Sequence, residues 1–326
     1  MDIKGSGSSV EPSFLISTRI KMRTTTLLSL LSAATVALGE QYTARKLYQL
    51  DPGTWIENFA QQGSSWYTRI TRLDSPEVLE VDPAHQHGGP RTIYTFPNAT
   101  NATGIAELST DHYAVLTLNG PPDNAAVSIW TLDATGEPFA TPVIRNIEGA
   151  QILNGLAKFS PTVVFAADSP AGAIYRINLD SGTANKVISR DGITPGVNGL
   201  RYKAPYLYYT NSLDGVFGRI QIDPTSGDLV GGAEVVVRGD ILVGADDFAL
   251  ADWTDAAFVA NFQQNTLVRV NIGNGTAEVI AHDIPAPTTA TFGSGGLYVG
   301  TSGTGSDGGA SFWSVVVPDQ RSVSVL

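Results

Sequence analysis

From residue 40 onward the chain reads as short apolar runs rich in Val, Ile, Tyr and Phe, broken by turns built from Gly, Pro, Asn and Asp. Runs of this length and composition predict strands. No stretch after residue 40 carries the period of an amphipathic helix, and no linker divides the chain. Alternation within the runs is weak, as in sheets covered on both faces.

The runs recur as a unit of four strands. One copy reads Val197-Asn198-Gly199-Leu200-Arg201-Tyr202, Tyr206-Leu207-Tyr208-Tyr209-Thr210, Gly218-Arg219-Ile220-Gln221-Ile222 and Ala233-Glu234-Val235-Val236-Val237. A second begins at Leu153-Asn154-Gly155-Leu156 and a third at Asp246-Asp247-Phe248-Ala249-Leu250. Tyr175-Arg176-Ile177, Gly218-Arg219-Ile220 and Val268-Arg269-Val270 hold the same place in their units. Fainter copies start at Trp55, Thr103 and Thr288. The starts lie roughly 42–52 residues apart, the spacing of four-stranded propeller blades. The expected architecture is an all-β, six-bladed propeller of antiparallel blades over residues 40–326. Tyr42–Leu50 and Arg321–Leu326 are expected to complete one shared closing blade. A two-sheet sandwich leaves the period unexplained.

Residues 1–39 read as an address. Arg19, Lys21, Met22 and Arg23 precede the run Leu27-Leu28-Ser29-Leu30-Leu31-Ser32-Ala33-Ala34, which ends in small residues at Ala37 and Gly39. This is the pattern of a signal peptide, with Met22 as a possible start and cleavage near Gly39. The run is too short and too rich in Ser and Thr for a membrane span. Three sequons, at Asn98, Asn101 and Asn274, agree with a secretory route, either secreted or vesicle-lumenal. Asn98 and Asn101 both fall in a stretch, 97–103, that reads as a turn.

Composition narrows the function. Hydrophobic residues make up 42% and charged residues 16%, so the chain has ample material for a core. A net charge of −11 argues against nucleic acid as a partner. The absence of cysteine excludes disulfides, thiolate metal sites and a cysteine nucleophile. Stability must therefore come from a large closed core, and a closed ring with no free sheet edge is expected to be monomeric and not inserted in a membrane.

In a propeller the innermost strands line a central channel. Read around the ring, their first residues are Glu57, Gly104, Asn154, Asn198, Asp247 and Thr288 or Thr289. Two carboxylates and two carboxamides thus converge at one mouth. They are hard oxygen donors suited to Ca²⁺, Mg²⁺ or Mn²⁺, or to a polar catalytic cluster without metal. Taken singly, Asn154-Gly155 and Asn198-Gly199 also read as turns, and Glu57 as a solvated rim charge.

These residues resemble the senescence-marker-protein-30/gluconolactonase/luciferin-regenerating propellers. The resemblance covers about residues 47–317. It rests on Gly53-Thr54-Trp55-Ile56-Glu57-Asn58, on Val197-Asn198-Gly199-Leu200 with Leu207-Tyr208-Tyr209-Thr210-Asn211-Ser212, on Ile222-Asp223-Pro224-Thr225-Ser226-Gly227, and on Ala245-Asp246-Asp247. It implies that Glu57, Asn154, Asn198 and Asp247 hold a divalent ion, with Asp247 as the base in lactone hydrolysis. The family pattern has Asp-Gly at the fifth blade, whereas Phe248 follows Asp247 here. The Trp-Ile-Glu-Asn opening, followed by Thr71-Arg72-Leu73-Asp74-Ser75-Pro76-Glu77, is similar to a fungal secreted branch that includes hetero-Diels–Alderases of tropolone–sesquiterpene biosynthesis.

Three functions follow as expectations. The first is a cofactor-free pericyclase that joins an apolar humulene-type terpene to a polar tropolone-derived quinone methide. It would use Trp55 and Phe248 as substrate contacts, with Trp66, Tyr67, Trp253 and Phe262 as further aromatics, and Glu57, Asn154, Asn198 and Asp247 as the catalytic set. Orientation alone can contribute about 7–11 kcal/mol to such a reaction. The second is a divalent-metal-dependent lactonase using the same four residues. The third is a secreted binding propeller without catalysis. His85-Gln86-His87 reads as an exposed turn, and the glycine-rich 293–296 and 300–305 as hairpin turns rather than phosphate loops.

Overall fold

A computed structural model describes residues 42–60, 67–84, 89–120, 126–189, 193–293, 295–303 and 308–318. The expected leader at 1–39, Trp66, His85-Gln86-His87 and Arg321–Leu326 lie outside the described residues. Glu40–Leu326 forms one compact unit. The described residues form six four-stranded antiparallel sheets, which is the expected six-bladed propeller. The one helical segment among them is the single turn Asp240–Leu242. Among the described residues no helix is long and apolar enough to cross a membrane.

The six inner strands are Ile56–Ala60, Asn101–Ser109, Leu153–Ser160, Val197–Lys203, Ala245–Leu250 and Pro287–Gly293. Each touches the inner strands of both neighbouring blades, so the ring closes around one axis. Hydrophobic packing follows the same symmetry. Among the described residues six apolar clusters each lie in the seam between two adjacent blades. Between the first and second blades, for example, Val78 packs with Ile105, Val115 and Trp130. Every sheet is therefore covered on both faces, which is why its strands read as apolar runs and not as clean alternation.

The last blade combines the two ends of the ring. Thr43–Pro52 pairs antiparallel with Gly309–Val316, from Thr43 opposite Val316 to Pro52 opposite Gly309. The Gln49 amide donates to the Gly309 carbonyl at 2.7 Å, and the Tyr48 hydroxyl donates to the Asp82 carbonyl in the first blade at 2.9 Å. The C-terminal partner is thus Gly309–Val316 rather than the expected Arg321–Leu326. Its run Ala310-Ser311-Phe312-Trp313 supplies the apolar side chains that a seam strand needs.

A β-bulge interrupts each inner strand at the same place. Leu153 pairs with Asp168, but pairing resumes only at Leu156 with Ala166. Val197 and Leu200 repeat this against Asn211 and Tyr209, and Ala245 and Phe248 against Asn261 and Val259. Related irregularities follow Ala102, Ile56 and Pro287. A bulge removes ladder hydrogen bonds, and the freed groups need other partners. Buried hydroxyls of the adjoining blade provide them. Thr103 donates to the Leu153 carbonyl at 2.7 Å, Thr210 to the Asp246 carbonyl at 2.5 Å, Thr288 to the Ile56 carbonyl at 2.7 Å, and Thr71 to the Thr103 carbonyl.

The bulges also bring backbones together. A Cβ on Gly155 would lie 2.2 Å from the Asn198 carbonyl oxygen, and one on Gly104 would lie 2.3 Å from that of Asn154. Neither oxygen belongs to a flexible side-chain end, so backbone must move. Gly155→Ala is expected to lower unfolding free energy by about 2 kcal/mol or more, as overpacking does. Gly231→Ala, where nothing lies within 4 Å of the new carbon, should change it by less than about 0.5 kcal/mol. Denaturant melts of the two variants check this, and equal stability would remove the close-approach argument.

Candidate functional site

The bulge register decides which side chains reach the mouth. The residue after each anchor pair is Glu57, Thr103, Asn154, Asn198, Asp246 and Thr288. Asp246, not Asp247, therefore occupies the place of Asn154 and Asn198. Asp247 takes the place that Gly155 and Gly199 hold in the two preceding blades. In the second blade Thr103 fills the repeat position and Gly104 the close-approach position. Thr103 and Thr288 are buried and spend their hydroxyls on neighbouring carbonyls. That leaves Glu57, Asn154, Asn198 and Asp246 as the polar set at the mouth.

The contacts within the set are direct. Trp55 Nε1 donates to Glu57 Oε2 at 2.9 Å, and Asn154 hydrogen-bonds the same carboxyl. Asn198 hydrogen-bonds Asp246, and its amide nitrogen also donates to Ser212 Oγ at 3.2 Å. The Asn198 side-chain oxygen Oδ1 is buried and has no hydrogen-bond partner. Among the described residues, no Lys, Arg or His forms an ion pair with Glu57 or Asp246.

Burial without a cation sets the electrostatics. The Glu57 carboxyl is pushed up to about 7, chiefly by desolvation; hydrogen bonds from Trp55 and Asn154 oppose the shift and the Asp247 charge adds to it. Asp246 rises well above the usual carboxylate range, first by desolvation and then by the charges of Glu57 and Asp247, with the Asn198 hydrogen bond opposing. Like charges in one desolvated site disfavour ionising together.

Asp247 has a different environment. It is 1% exposed and pairs with Arg201 of the preceding blade, while Thr289 of the following blade donates to it at 3.3 Å. Burial raises its carboxyl, and Arg201 is the main opposing influence. Phe248 is fully buried in the seam with Phe217, whose ring centroid is 5.1 Å away. The substrate-contact role expected for Phe248 is incompatible with that position. The bulge turns Phe248 away from the channel into the seam.

The other aromatics divide by end. Trp55 stacks on Phe262 at 5.5 Å between centroids and 27° between planes. Phe262 lies in the turn after Ala256–Asn261, at the same end as the polar set. Trp253 follows the far end of Ala245–Leu250 and meets Phe292 edge-on at 4.8 Å. Tyr67 also belongs to that far end, immediately before Thr68–Arg72. Phe262 was one of several aromatics in the sequence; its partnership with Trp55 spans blades that are not adjacent and has no local signal. The contact of Arg201 with Asp247 likewise crosses between blades and has no local signal, and Thr289, one of the two channel positions expected for the sixth blade, reaches Asp247 while Thr288 bonds the Ile56 carbonyl. Asp246 did have a signal: in Leu153-Asn154, Val197-Asn198 and Ala245-Asp246 an apolar anchor precedes the polar residue.

The sequons also separate. Asn98 and Asn274 are exposed in turns. Asn101 begins an inner strand, with Ala102 and Thr103 buried behind it, and its amide nitrogen donates to the Leu73 carbonyl. The turn expected over 97–103 therefore ends at Thr100, because the channel strand starts earlier than its apolar run suggests.

Fold and site together define a six-bladed propeller with a carboxylate–carboxamide mouth. No family model matches the sequence, and no curated protein matches it. Solved structures share the fold. A luciferin-regenerating enzyme aligns with TM-score 0.68 at 13% identity, covering 85% of this chain and 96% of its own. The calcium-binding protein regucalcin from Agrobacterium tumefaciens aligns at 0.61 and 14%, covering 84% and 94%. A gluconolactonase from Xanthomonas campestris aligns at 0.60 and 15%, covering 84% and 89%. At these identities the likeness is one of fold. Enzymes are well represented on it.

The shifted carboxyls carry a consequence for stability. A Glu57 carboxyl at about 7, against an ordinary 4.5, keeps its proton in the folded chain after the unfolded chain has lost its own. Its contribution is therefore present below about 4.5 and lost as pH rises through about 7. In chelator, stability should fall over that window and Glu57→Gln should flatten the fall. Denaturant melts across the range measure it; an unchanged slope in the variant would assign the effect elsewhere.

Proposed function

We propose that the polar mouth is a hydrolytic site that opens lactones, with a divalent cation as its cofactor. The observation that carries this reading is a buried Glu57 and a half-buried, desolvated Asp246 beside two carboxamides with no cationic side chain to offset them. A lone protein charge in such a place is costly, and a bound cation is one of the ways proteins offset it. The donor set is chemically suited to Ca²⁺, Mg²⁺ or Mn²⁺, because every donor is a hard oxygen. Among the described residues no three His, Asp or Glu side chains gather as ligands, so the carboxamides are needed. The unpartnered Asn198 Oδ1 fits that need. Glu57, Asn154, Asn198 and Asp246 are the residues that would hold the ion. When bound, it polarises an ester carbonyl and lowers the barrier to attack.

The chain's own groups would do the rest. Asp246 takes a proton from water as the water oxygen bonds to the lactone carbonyl carbon. The ring C–O bond then breaks, and Asp246 returns the proton to the departing alkoxide. A carboxylate whose affinity for protons is raised by desolvation is a stronger base than an exposed one and suits this exchange. Asn198, held by Ser212, and Asn154, held against Glu57, orient the substrate. Trp55 and Phe262 form an apolar wall at the mouth. Asp247, tied to Arg201 and Thr289, is a positioning residue that holds the bulge and adds negative potential behind Asp246.

The cycloaddition reading keeps one support, the stacked Trp55–Phe262 pair beside carboxyls able to donate a proton. It has lost Phe248 as its second aromatic contact, and for that reason hydrolysis is preferred.

The test is metal content and lactone turnover on the purified protein. One tightly held divalent ion is expected, with ring opening of gluconolactone or simple aliphatic lactones that chelator abolishes and Ca²⁺, Mg²⁺ or Mn²⁺ restores. Asp246→Asn should lower kcat by about 10²–10⁴-fold, with a smaller loss for Asp247→Asn. Wild-type protein that binds no metal and opens no lactone would defeat the proposal. Acceleration of a quinone methide–terpene coupling by that same metal-free protein would put the cycloaddition reading in its place.

A further inference from the structure

The inner strands that begin at the acidic mouth end at a second cavity. It has a volume of about 280 Å³ and is lined by Glu107, Lys158, Arg201, Tyr202 and Thr291 over an apolar floor that includes Phe59 and Leu156. These residues come from five of the six blades. They lie three or four positions beyond the bulge residues, on the order of 10 Å along the channel at the usual strand rise. The Asp247–Arg201 pair stands between the two ends, with Asp247 on the acidic side and Arg201 lining the cavity.

The chemistry of this end is the reverse of the first. Lys158 has no ion-pair or hydrogen-bond partner among the described residues, while Arg201 lines the cavity with its charge shared with Asp247 and one terminal nitrogen donating to the Leu200 carbonyl at 2.8 Å. Glu107 opposes them only in part. Its carboxylate oxygens are buried and short of partners, with only the Asp111 backbone pulling on them. Burial pushes this carboxyl up to about 7; the charges of Arg69 and Lys158 act against the shift. A carboxyl that holds its proton near neutrality offers both a donor and an acceptor to a hydroxyl, and leaves Lys158 in excess. Thr291 and Tyr202 add hydroxyls of their own.

We propose that this cavity binds a small hydroxy-carboxylic acid: its carboxylate on Lys158 and Arg201, its hydroxyl on Glu107, its hydrocarbon part against Phe59 and Leu156. The size admits an acid of about ten heavy atoms, within the range in which a small pocket can give useful affinity. The inference goes beyond the hydrolytic reading and does not depend on it, since it concerns the other end of the channel and no turnover.

Calorimetric titration of mandelate into protein kept in chelator tests it. Chelator prevents the acid from binding through a cation at the first mouth. Mandelate is expected to bind one site, and neutral mandelamide not to bind. Lys158→Met should weaken mandelate by about tenfold or more, the cost of a lost charge-assisted hydrogen bond. Lys158→Arg, which keeps the charge, should retain most of the affinity, and Glu57→Gln should bind as the wild type does. Lys158 is only partly buried, so its variants should fold, which the thermal melt of each confirms. No heat with wild-type protein, or equal affinity in folded Lys158→Met, would overturn the proposal. Inorganic phosphate binding as tightly as mandelate would also overturn it, because the apolar floor would then contribute nothing.

Discussion

Six sheets can surround one axis only if their inner strands come within backbone contact of each other. That constraint shapes everything else in this protein. Regular strands with side chains on both faces would collide there, and the bulge after each anchor, of two residues in the second to fifth blades and of one in the first and sixth, is the local answer. One residue of the bulge is aimed into the channel. The next faces the adjoining blade at a distance where, at Gly104 and Gly155, no Cβ fits. The carbonyls that the bulges release are taken by buried threonines across the seams. Function and closure therefore share one piece of backbone: the residues free to be polar are those the bulge points inward.

Glycine holds the second position in the second, third and fourth blades, and the fifth carries a carboxylate there. Asp247 stands where the three preceding blades have glycine. It fits because its carboxylate runs along the seam to Arg201, close over Gly199, whose missing Cβ leaves the room. Removing either Arg201 or Gly199 would leave Asp247 as a buried carboxylate without a cation or without space, which is strongly unfavourable. The pair also divides the channel electrically. On one side lie Glu57 and Asp246 with no cation; on the other lies Lys158 with an incomplete counter-charge. A channel acidic at one end and basic at the other is a natural arrangement for two ligands of opposite character.

The comparisons support this division of labour between fold and site. Propellers that share the architecture here include a luciferin-regenerating enzyme, a calcium-binding protein and a gluconolactonase. What these proteins share with this chain is the fold, and a fold by itself does not fix an activity. In this chain Glu57 is buried while Asn154, Asn198 and Asp246 are half-buried, and Trp55, which hydrogen-bonds Glu57, stacks on Phe262 beside them.

The sequence by itself determined the number of blades, the strand composition and the set of polar residues near the axis, because each is a property of a repeat that recurs at fixed spacing. It identified Glu57, Asn154 and Asn198 as neighbours, although they are far apart along the chain. Only the tertiary structure decided between Asp246 and Asp247, since a slip of one residue at a bulge sends a side chain from the channel into the seam. Only it showed that Phe248 packs against Phe217, that Trp55 meets Phe262, that Gly309–Val316 closes the ring, and that Arg201 and Lys158 share a cavity with Glu107. Those facts depend on side chains contributed by different blades. Their separation along the chain bears no fixed relation to their distance in space, and a repeat pattern records spacing within a blade, not contacts between blades.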